Sequence, residues 1–377
     1  MSTIGSTIGL TNLGALHAEL GGELEAAALR VLRSGQFILG PEVSAFEREL
    51  AAALRVEGAV GVSSGSDALV MALAASGVGP GHEVITTPFS FFATAEAIAR
   101  VGATPVFVDV DPGTLNLNAE AAAARVGPRT KAVLAVHLFG RMAALDPLQR
   151  VCRATGVVLL EDAAQAIGAV LPDGRGPGAV GTAAALSFFP SKNLGGFGDA
   201  GMVLTQRGDI AERVRALRVH GAHRAGQHDE IGGNYRMDEL QAALLRVKLP
   251  HLAAWTTRRR AIAVSYAAAW ADLPLLLPPP DPGSAWNQFV VRIPDGRRQA
   301  MIEHLAKAGI ASAVYYPRPL HLQPALAGLG GRPGQLPVAE SAAGEVLALP
   351  VHAQLTGAEV GRICETVRAF FAGGGQR

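Results

Sequence analysis

The sequence predicts an α/β protein in which a mostly parallel sheet is covered by helices. Short apolar, β-branched runs alternate with stretches rich in Ala and Leu up to about residue 190. This alternation is typical of the strand–helix units that build a parallel sheet. The strand runs are apolar at successive positions, as expected of strands buried on both faces. A smaller α/β unit of different layout follows.

Each element follows from the residues in chain order. The first predicted strand, residues 58–64, leads directly into a helix at 66–77. Ser and Asp at that junction are typical of a helix start. The same order is then repeated, with strands at residues 83–88, 104–111, 130–140, 157–164, 183–189 and 202–206 and helices at 91–102, 118–126 and 145–156.

The pattern changes after residue 250. One long helix is predicted over residues 251–273, with Arg258, Arg259 and Arg260 on or near its exposed face. It ends at a proline-rich stretch, because proline cannot continue a helix. The rest is predicted as strands at 287–293 and 310–317 and helices at 297–309 and 357–371. We therefore expect a large domain and a small domain, residues 1–255 and 256–377.

The composition excludes several classes of protein. The chain has 377 residues, 49% of them hydrophobic and 17% charged, so it can bury a sizeable core and is not intrinsically disordered. Its net charge of +1 lacks the basic excess typical of nucleic-acid binding. Two cysteines make no disulfide framework, the N-terminal stretch lacks the pattern of a signal peptide, and no apolar run is long enough to span a membrane. We expect a soluble, cytoplasmic protein.

Candidate ligand-binding groups lie where predicted strands end, which is where open α/β sheets bind ligands. Gly65 and Ser66 open the helix after the first strand, and its free N–H groups could hold a phosphate, although such residues are also ordinary helix caps. Asp162 ends a buried strand, where it either turns the chain or stabilises positive charge on a ligand. Ser187 ends the next strand and could bind the same phosphate.

Lys192 follows in the segment SFFPSKNLGGFGDAG, among many glycines, which predict close approach of a bulky group other than protein. A lysine desolvated beside an aromatic ligand can have a lowered pKa and attack a carbonyl carbon. A phosphate cradle, a carboxylate and an amine together match pyridoxal 5′-phosphate (PLP), whose phosphate, ring nitrogen and aldehyde need these groups. One residue of the cluster Phe89, Phe91 and Phe92 could stack on its ring.

Other motifs are interpreted differently. Residues 196–201, GFGDAG, match a dinucleotide-binding pattern, but a strand follows them where that site requires a helix. His220, His223 and His228 lie in a polar stretch without a helical face to align them, so we expect no metal site. His137 ends a predicted strand and either approaches the cofactor or satisfies a backbone group.

The chain resembles the DegT/DnrJ/EryC1/StrS family of sugar aminotransferases, which are fold-type I PLP enzymes. The matching segments extend over almost the whole chain, and they are specific together although no single one is. They are SGQFILGPEVSAFERELA, SSGSDALVMAL, VITTPFSFFATAEAI, PVFVDVDPGTLNL, EDAAQAIGA, SFFPSKNLGGFGDAGMV, GGNYRMDELQAALLRVKL and YYPRPLHLQP.

The resemblance implies a role for each candidate residue. Lys192 would bond covalently to the cofactor and move protons. Asp162 would hold the pyridine nitrogen, and Gln165 the ring face or the 3′-oxygen. Phe91, rather than Phe89, would stack on the ring. The phosphate ligands would be Gly65, Ser66, Ser187 and Asn234, and the substrate contacts would be Tyr315, Tyr316, His321 and Arg236.

The resemblance also implies partners and an activity. Asn234 would come from a neighbouring subunit, which implies an obligate homodimer with shared sites. The enzyme would move an amino group from an amino acid to a keto-sugar nucleotide, and L-glutamate is the expected amino donor. The segments NLGGFGDAG and WNQFVVR look most like those of family members that act on 3-keto sugars. Such members would make amino sugars for a polysaccharide or a secondary metabolite. A subgroup that replaces the lysine with histidine catalyses dehydration, and Lys192 argues against that chemistry here.

Two alternatives stay open. One is a non-catalytic regulatory or sensory protein on the same fold. The intact Lys192, Asp162 and Ser187 count against it, because a protein that merely binds a ligand need not keep an amine nucleophile. The other is PLP chemistry on a different substrate, such as elimination from an amino acid.

Overall fold

The computed structural model describes residues 7–224 and 226–373. Its main sheet has seven strands: β1 (Gly58–Val62), β2 (Glu83–Thr86), β3 (Thr104–Phe107), β4 (Thr130–Val136), β5 (Val158–Asp162), β6 (Ala183–Ser187) and β7 (Gly201–Thr205). They lie in the order β1-β7-β6-β5-β4-β2-β3. Only β7 runs against its neighbours, so the other six strands end at the same edge. The predicted α/β fold with a mostly parallel sheet is confirmed.

Helices cover both faces of this sheet, because successive strand residues point to opposite sides. In β4, Val133 and Ala135 face one apolar core, and Ala132 and Leu134 face the other. The helices are α1 (Leu13–Ser34), α2 (Pro41–Leu54), α3 (Gly65–Ala75), α4 (Ala93–Arg100), α5 (Ala119–Ala124), α6 (Leu145–Thr155), α7 (Gly208–Leu217) and α8 (Glu239–Lys248). The first core contains residues of α1, α2, α5, α6 and α8, and the second contains residues of α3, α4 and α7.

A third apolar core lies in the C-terminal part of the chain. Tyr266 and Trp270 stack with ring centroids 4.6 Å apart, and Phe289 packs edge-on against Tyr266. The elements beyond α8 are α9 (Leu252–Ala269), β10 (Phe289–Arg292), α10 (Arg298–Lys307), α11 (Pro337–Glu345), β11 (Val346–Leu349) and α12 (Gly357–Ala372). A short hairpin, β8 (Ala222–Arg224) and β9 (Gln227–His228), precedes α8. No helix within the described ranges combines the length and the apolar character needed to cross a bilayer.

The division of the chain at residue 255 stays a prediction. The predicted long helix is present as α9, and it carries the chain across that point without a break.

The predicted exposure of the arginines on α9 is wrong for two of them. Arg259 is only 8% exposed, and its guanidinium donates to the carbonyl of Trp286 at 3.2 Å. Arg260 is half-buried, and its Nε donates to the carbonyl of Ser284 at 2.9 Å. Their long side chains reach carbonyl groups of the segment before β10, which covers this side of the helix. Arg258 remains exposed.

The predicted strand at residues 310–317 is also wrong. Ile310 forms a single bridge with Ile8, and Ala313 forms a single bridge with Ala348 of β11. Because these bridges have different partners, no continuous ladder forms. The apolar and aromatic composition that suggested a strand reflects burial rather than pairing.

A buried carboxylate of α8 holds the start of α2. Glu239 is 1% exposed, and its oxygens accept hydrogen bonds from the N–H groups of Gly40, Glu42 and Val43 at 2.8, 2.8 and 2.9 Å. The first N–H groups of a helix have no partner within the helix, and negative charge is favourable there. Glu239 therefore fixes α2 to α8.

We expect Glu239→Ala to lower the free energy of unfolding by about 2–4 kcal/mol, because three buried donors lose their acceptor. Urea unfolding followed by circular dichroism measures this. Glu23→Ala on the exposed side of α1 is the matched control and should change stability by less than about 0.5 kcal/mol. Equal losses in the two variants would show that the contact to α2 does not stabilise the fold.

Candidate active site

A cavity of about 430 Å³ opens at the edge where the parallel strands end. Residues that follow β1, β2 and β5, and the loop between β6 and β7, form most of its wall. The lining residues are Ser64, Gly65, Ser66, Leu69, Ser90, Phe91, Ala93, Val136, Asp162, Ala164, Gln165, Ser187, Phe189, Ser191, Lys192, Asp199, Gln288, Tyr315 and Tyr316. Nine of the twelve residues assigned to the site from the sequence therefore lie on one surface.

Lys192 lies in the loop after β6. Its backbone N–H donates to the carbonyl of Phe189 at 2.8 Å. The side-chain Nδ2 of the next residue, Asn193, donates to the carbonyl of Ala285 at 2.8 Å. Burial lowers the pKa of the Lys192 amine to about 8, while the nearby charge of Asp162 opposes the shift. A larger fraction of this amine is therefore neutral near physiological pH than for an ordinary lysine, and the neutral amine is the nucleophile.

Asp162 places a carboxylate at the end of β5. It is 5% exposed, and it accepts hydrogen bonds from the Thr94 hydroxyl at 2.7 Å and the Ala164 N–H at 3.2 Å. Burial raises the pKa of Asp162, while these hydrogen bonds and the charge of Lys192 oppose the shift. The carboxylate forms no ion pair at salt-bridge distance in the described part of the chain, so it can accept a cationic group of a ligand.

Gln165 and Tyr316 are held in place beside Asp162. The Gln165 Oε1 accepts the N–H of Phe139 at 2.6 Å, and its Nε2 donates to the Tyr316 hydroxyl at 2.9 Å. Burial raises the pKa of Tyr316, so its phenol keeps its proton. Phe91 is 59% exposed on the cavity wall, whereas Phe89 is fully buried. Of these two phenylalanines, Phe91 is therefore the one that can present a ring face to a ligand in this cavity.

The start of α3 forms a further part of the cavity wall. Ser64 caps the helix, because its hydroxyl accepts the N–H of Asp67 at 3.0 Å, and Gly65 and Ser66 face the cavity. A Cβ at Gly65 would lie 2.5 Å from the Cβ of Ser187. Glycine is therefore required for the first turn of α3 to approach Ser187, and the two together form a cradle suited to an anion.

The glycines after Lys192 pack against protein rather than leaving room for a ligand, which corrects the expectation from the sequence. A Cβ at Gly195 would lie 2.2 Å from the Pro190 carbonyl oxygen, and a Cβ at Gly201 would lie 2.2 Å from that of Ser64. The same addition at Gly196 would meet the Gln241 side chain at 2.7 Å. These contacts fold the loop tightly against α8 and the start of α3.

Three of the residues assigned from the sequence are not part of this cavity. Asn234 is exposed, and its backbone bridges to Val219. Arg236 bridges to Val62 at the end of β1, and its Nε is buried without a partner. His321 is 4% exposed, lies 3.2 Å from Glu340 and lines a separate cavity.

His137, left open by the sequence, serves the backbone. Its N–H donates to the carbonyl of Asp162, while its Nδ1 accepts the N–H of Ala143, so its Nε2 donates to Glu161 at 2.9 Å. Glu161 also accepts two backbone N–H groups, so this buried pair supports the end of β5 from the face opposite the cavity. Among the described residues, no group of three or more His, Cys, Asp or Glu could hold a metal ion.

Sequence patterns missed several polar residues of the site, among them Thr94, Asp199 and Gln288. Thr94 lies on α4 and orients Asp162, and Asp199 and Gln288 line the cavity. No local pattern marks Thr94 or Asp199. Gln288 lies at the start of the strand predicted over residues 287–293, in the segment WNQFVVR, and this position indicated that it could lie at a sheet edge.

The comparison with known proteins agrees with this geometry. A family model described as the DegT/DnrJ/EryC1/StrS aminotransferase family matches residues 19–368. This chain belongs to that family. The resemblance found in the sequence is thus confirmed, and this family member is an aminotransferase of a PLP-dependent family.

Three curated relatives illustrate the range of names within the family. A pleiotropic regulatory protein of Geobacillus stearothermophilus is 44% identical, with 96% of this chain and 98% of the relative covered. A dTDP-3-amino-3,4,6-trideoxy-alpha-D-glucose transaminase of Streptomyces venezuelae is 43% identical over 95% of each chain. A UDP-N-acetyl-3-dehydro-alpha-D-glucosamine 3-aminotransferase of Acidithiobacillus ferrooxidans is 41% identical, with 98% of this chain and 100% of the relative covered.

Two solved structures share the fold over nearly the whole chain. DesV of S. venezuelae, solved with a ketimine intermediate, is 42% identical with a TM-score of 0.93, covering 97% of this chain and 98% of DesV. NtdA of Bacillus subtilis, solved with the cofactor PMP, is 28% identical with a TM-score of 0.88, covering 94% of this chain and 82% of NtdA.

The residues of the cavity fit PLP. Asp162 is a buried carboxylate that has no ion-pair partner among the described residues, as the protonated nitrogen of a pyridine ring requires. The cradle formed by α3 and Ser187 admits no further side chain at Gly65, so it is open to a phosphate. Lys192 and Phe91 complete the set with an amine and an aromatic face.

We expect trace acetylation of Lys192, measured by mass spectrometry on protein freed of bound small molecules, to titrate with a midpoint near pH 8. An ordinary lysine in a model peptide, the internal reference, titrates near pH 10.4. Asp162→Asn should move the Lys192 midpoint to lower pH, because the Asp162 charge raises the pKa of the amine. A midpoint at the value of the reference peptide would contradict the desolvation of Lys192.

Proposed function

We propose that the protein uses PLP to transfer an amino group from L-glutamate to a nucleotide-linked 3-keto hexose, in the biosynthesis of an amino sugar. The observation that carries the proposal is the meeting of Lys192, Asp162 and the start of α3 in one cavity. The substrate class is supported by the names of the S. venezuelae and A. ferrooxidans relatives, both of which refer to an amino group at sugar position 3.

Bound PLP supplies an aldehyde that condenses with amines and a ring that accepts an electron pair. Lys192 would hold it covalently between rounds of reaction. With its Nζ not bonded to the cofactor, Lys192 would present a free amine to the cavity, and the lowered pKa of that amine suits it to take up and return a proton. Lys192 is therefore assigned both the attachment of the cofactor and the proton transfer.

Asp162 and its neighbours would set the electronic state of the site. The carboxylate would stabilise positive charge at the ring nitrogen, and the hydroxyl of Thr94 keeps the carboxylate oriented. Gln165, which is hydrogen-bonded to both Phe139 and Tyr316, would contact the pyridine ring on one side. Phe91 would cover a ring face, and Gly65, Ser66 and Ser187 would bind the phosphate.

A second subunit would complete the substrate side of the site. Lys192 is the only lysine or arginine that lines the cavity in the part of the chain described by the structure, yet a nucleotide sugar carries two phosphates. Tyr315 and Tyr316 would contact the sugar from within the chain. Asn234, which the resemblance assigns to the cofactor phosphate of a neighbouring subunit, is exposed and so available to such a copy, and we propose a homodimer in which residues reach across to the partner's site.

The half-reaction with the amino donor gives the first test. Purified protein incubated with PLP should show a visible absorbance band that L-glutamate shifts to shorter wavelength, with release of 2-oxoglutarate. Lys192→Ala should lose the shift, whereas Lys307→Ala, on the exposed end of α10, should keep it. A protein that stays colourless with PLP would overturn the cofactor assignment.

The same protein then distinguishes catalysis from regulation. Incubation with L-glutamate and a 3-keto dTDP- or UDP-hexose should produce the amino sugar over many turnovers, detected by mass spectrometry. The pleiotropic regulatory protein among the relatives keeps the alternative of a non-catalytic regulator in view. Formation of the absorbance band without turnover on any keto-sugar would favour that alternative. Release of a keto acid together with ammonia over many turnovers, in the absence of an acceptor, would favour elimination.

The phosphate cradle gives a further prediction. Gly65→Ala should weaken PLP binding roughly tenfold or more, because its Cβ would press on Ser187 within the cradle. Gly208→Ala is the matched control: Gly208 also opens a helix, and no atom lies within 4 Å of its added Cβ. Fluorescence titration with PLP measures both affinities. Unchanged affinity in Gly65→Ala would place the phosphate elsewhere.

A further inference from the structure

A second, small cavity lies behind the loop that carries Lys192. Its volume is about 30 Å³, against the 10–15 Å³ or so that one water-sized occupant needs. Its wall is formed by residues 11–16 of the N-terminal segment, the loop at residues 190–193, α8, α9 and the residues after β11. The cavity has four basic residues in its lining, Lys192, Lys248, Arg259 and His352, and no Asp or Glu in the described part of the chain.

Lys248 enters this cavity from the end of α8. It is 2% exposed, its ammonium donates to the carbonyl of Gly195, and its Nζ lies 5.3 Å from the ring centre of Phe197. An ammonium has three donors, and it forms no ion pair with any residue that the structure describes. Burial lowers the pKa of Lys248 to about 8, which still leaves most of it charged at pH 7.

Arg259 enters from α9. One of its terminal nitrogens donates to the carbonyl groups of Trp286 and Val351, while its buried Nε has no partner. Burial lowers the pKa of Arg259 to about 10, so its guanidinium is charged. Beside it, His352 is 4% exposed with an unpartnered Nδ1, and burial together with the Arg259 charge lowers its pKa to about 4.

Lys248 and Arg259 thus bring two buried positive charges to one cavity, beside Lys192, and none of the described residues that line it carries a negative charge. Burial of an unpaired charge is strongly unfavourable, and native proteins almost always pair such groups. We propose that this cavity is a binding site for a small monovalent anion, chloride in the first instance, held between Lys248 and Arg259.

The size and the polar groups of the cavity select the occupant. A chloride ion fits, whereas the cavity is too small for an amino acid or a sugar. Asn193 also lines it, and its Nδ2 donates to Ala285 at 2.8 Å, which fixes its unpartnered Oδ1 as an acceptor. Because an acceptor repels an anion, a water molecule beside the ion would donate to this oxygen. The site does not depend on the function proposed above.

Crystals of the wild-type protein grown in sodium bromide give the direct test. Bromide replaces chloride and scatters anomalously, so we expect an anomalous peak in the cavity within contact distance of Lys248 and Arg259. If the electron density in the cavity is only as strong as that of a water molecule and no anomalous peak is present, the proposal is overturned, whatever the behaviour of the variants.

Thermal unfolding gives the test in solution. Sodium chloride should raise the melting temperature by about 2 °C more than sodium gluconate at equal ionic strength, because the larger anion cannot enter. Arg259→Gln and Lys248→Met should abolish this difference. Arg258→Gln, the exposed neighbour on the same helix, should keep it. An equal response to the two salts in wild type, or an unchanged difference in both cavity variants, would contradict the site.

Discussion

The active site depends on how closely three strand ends approach one another. The start of α3 after β1, the end of β6 and the start of β7 meet at Gly65, Ser187 and Gly201, where added Cβ atoms would lie 2.2–2.5 Å from their neighbours. The antiparallel β7 lies between β1 and β6 and pairs with both, so it sets the distance between the end of β1 and the end of β6. A phosphate cradle and a lysine loop can share one cavity only because no side chain separates them.

The chemistry of the cavity follows from two opposed effects of burial. Burial favours the neutral form of both Lys192 and Asp162, and each charge partly restores the other. A cationic ring nitrogen next to Asp162 would replace Lys192 in that role and leave the amine free to lose its proton. The adjacent Glu161 is kept out of this balance, because alternation along β5 points it to the opposite face, where His137 and two backbone amides bind it.

The sequence predicted those features that depend on local patterns. Apolar runs and their termini predicted the strands of the main sheet, the long α9, the strand-end positions of Asp162 and Ser187, and the position of Lys192 in the loop after β6. Contacts between distant segments were not predictable in this way. No sequence pattern near Thr94 predicts its hydrogen bond to Asp162. Three consecutive arginines predict an exposed helix face, but in the fold the segment before β10 covers two of them. The prediction of a strand at 310–317 was wrong for the same reason, because a strand needs a neighbouring strand to pair with, and composition does not show whether one is present.

The contact between Glu239 and the start of α2 has a consequence for the order of events during synthesis. The acceptor follows the N–H of Glu42 by 197 residues. At about 5–20 residues per second, a ribosome needs roughly 10–40 s to make that stretch. During this time α2 lacks its cap, and α1, which packs on α8, lacks the apolar surface that it covers. We therefore expect α1 and α2 to be among the last helices to pack on the main sheet, accessible to chaperones and proteases while the 197 residues up to Glu239 are made.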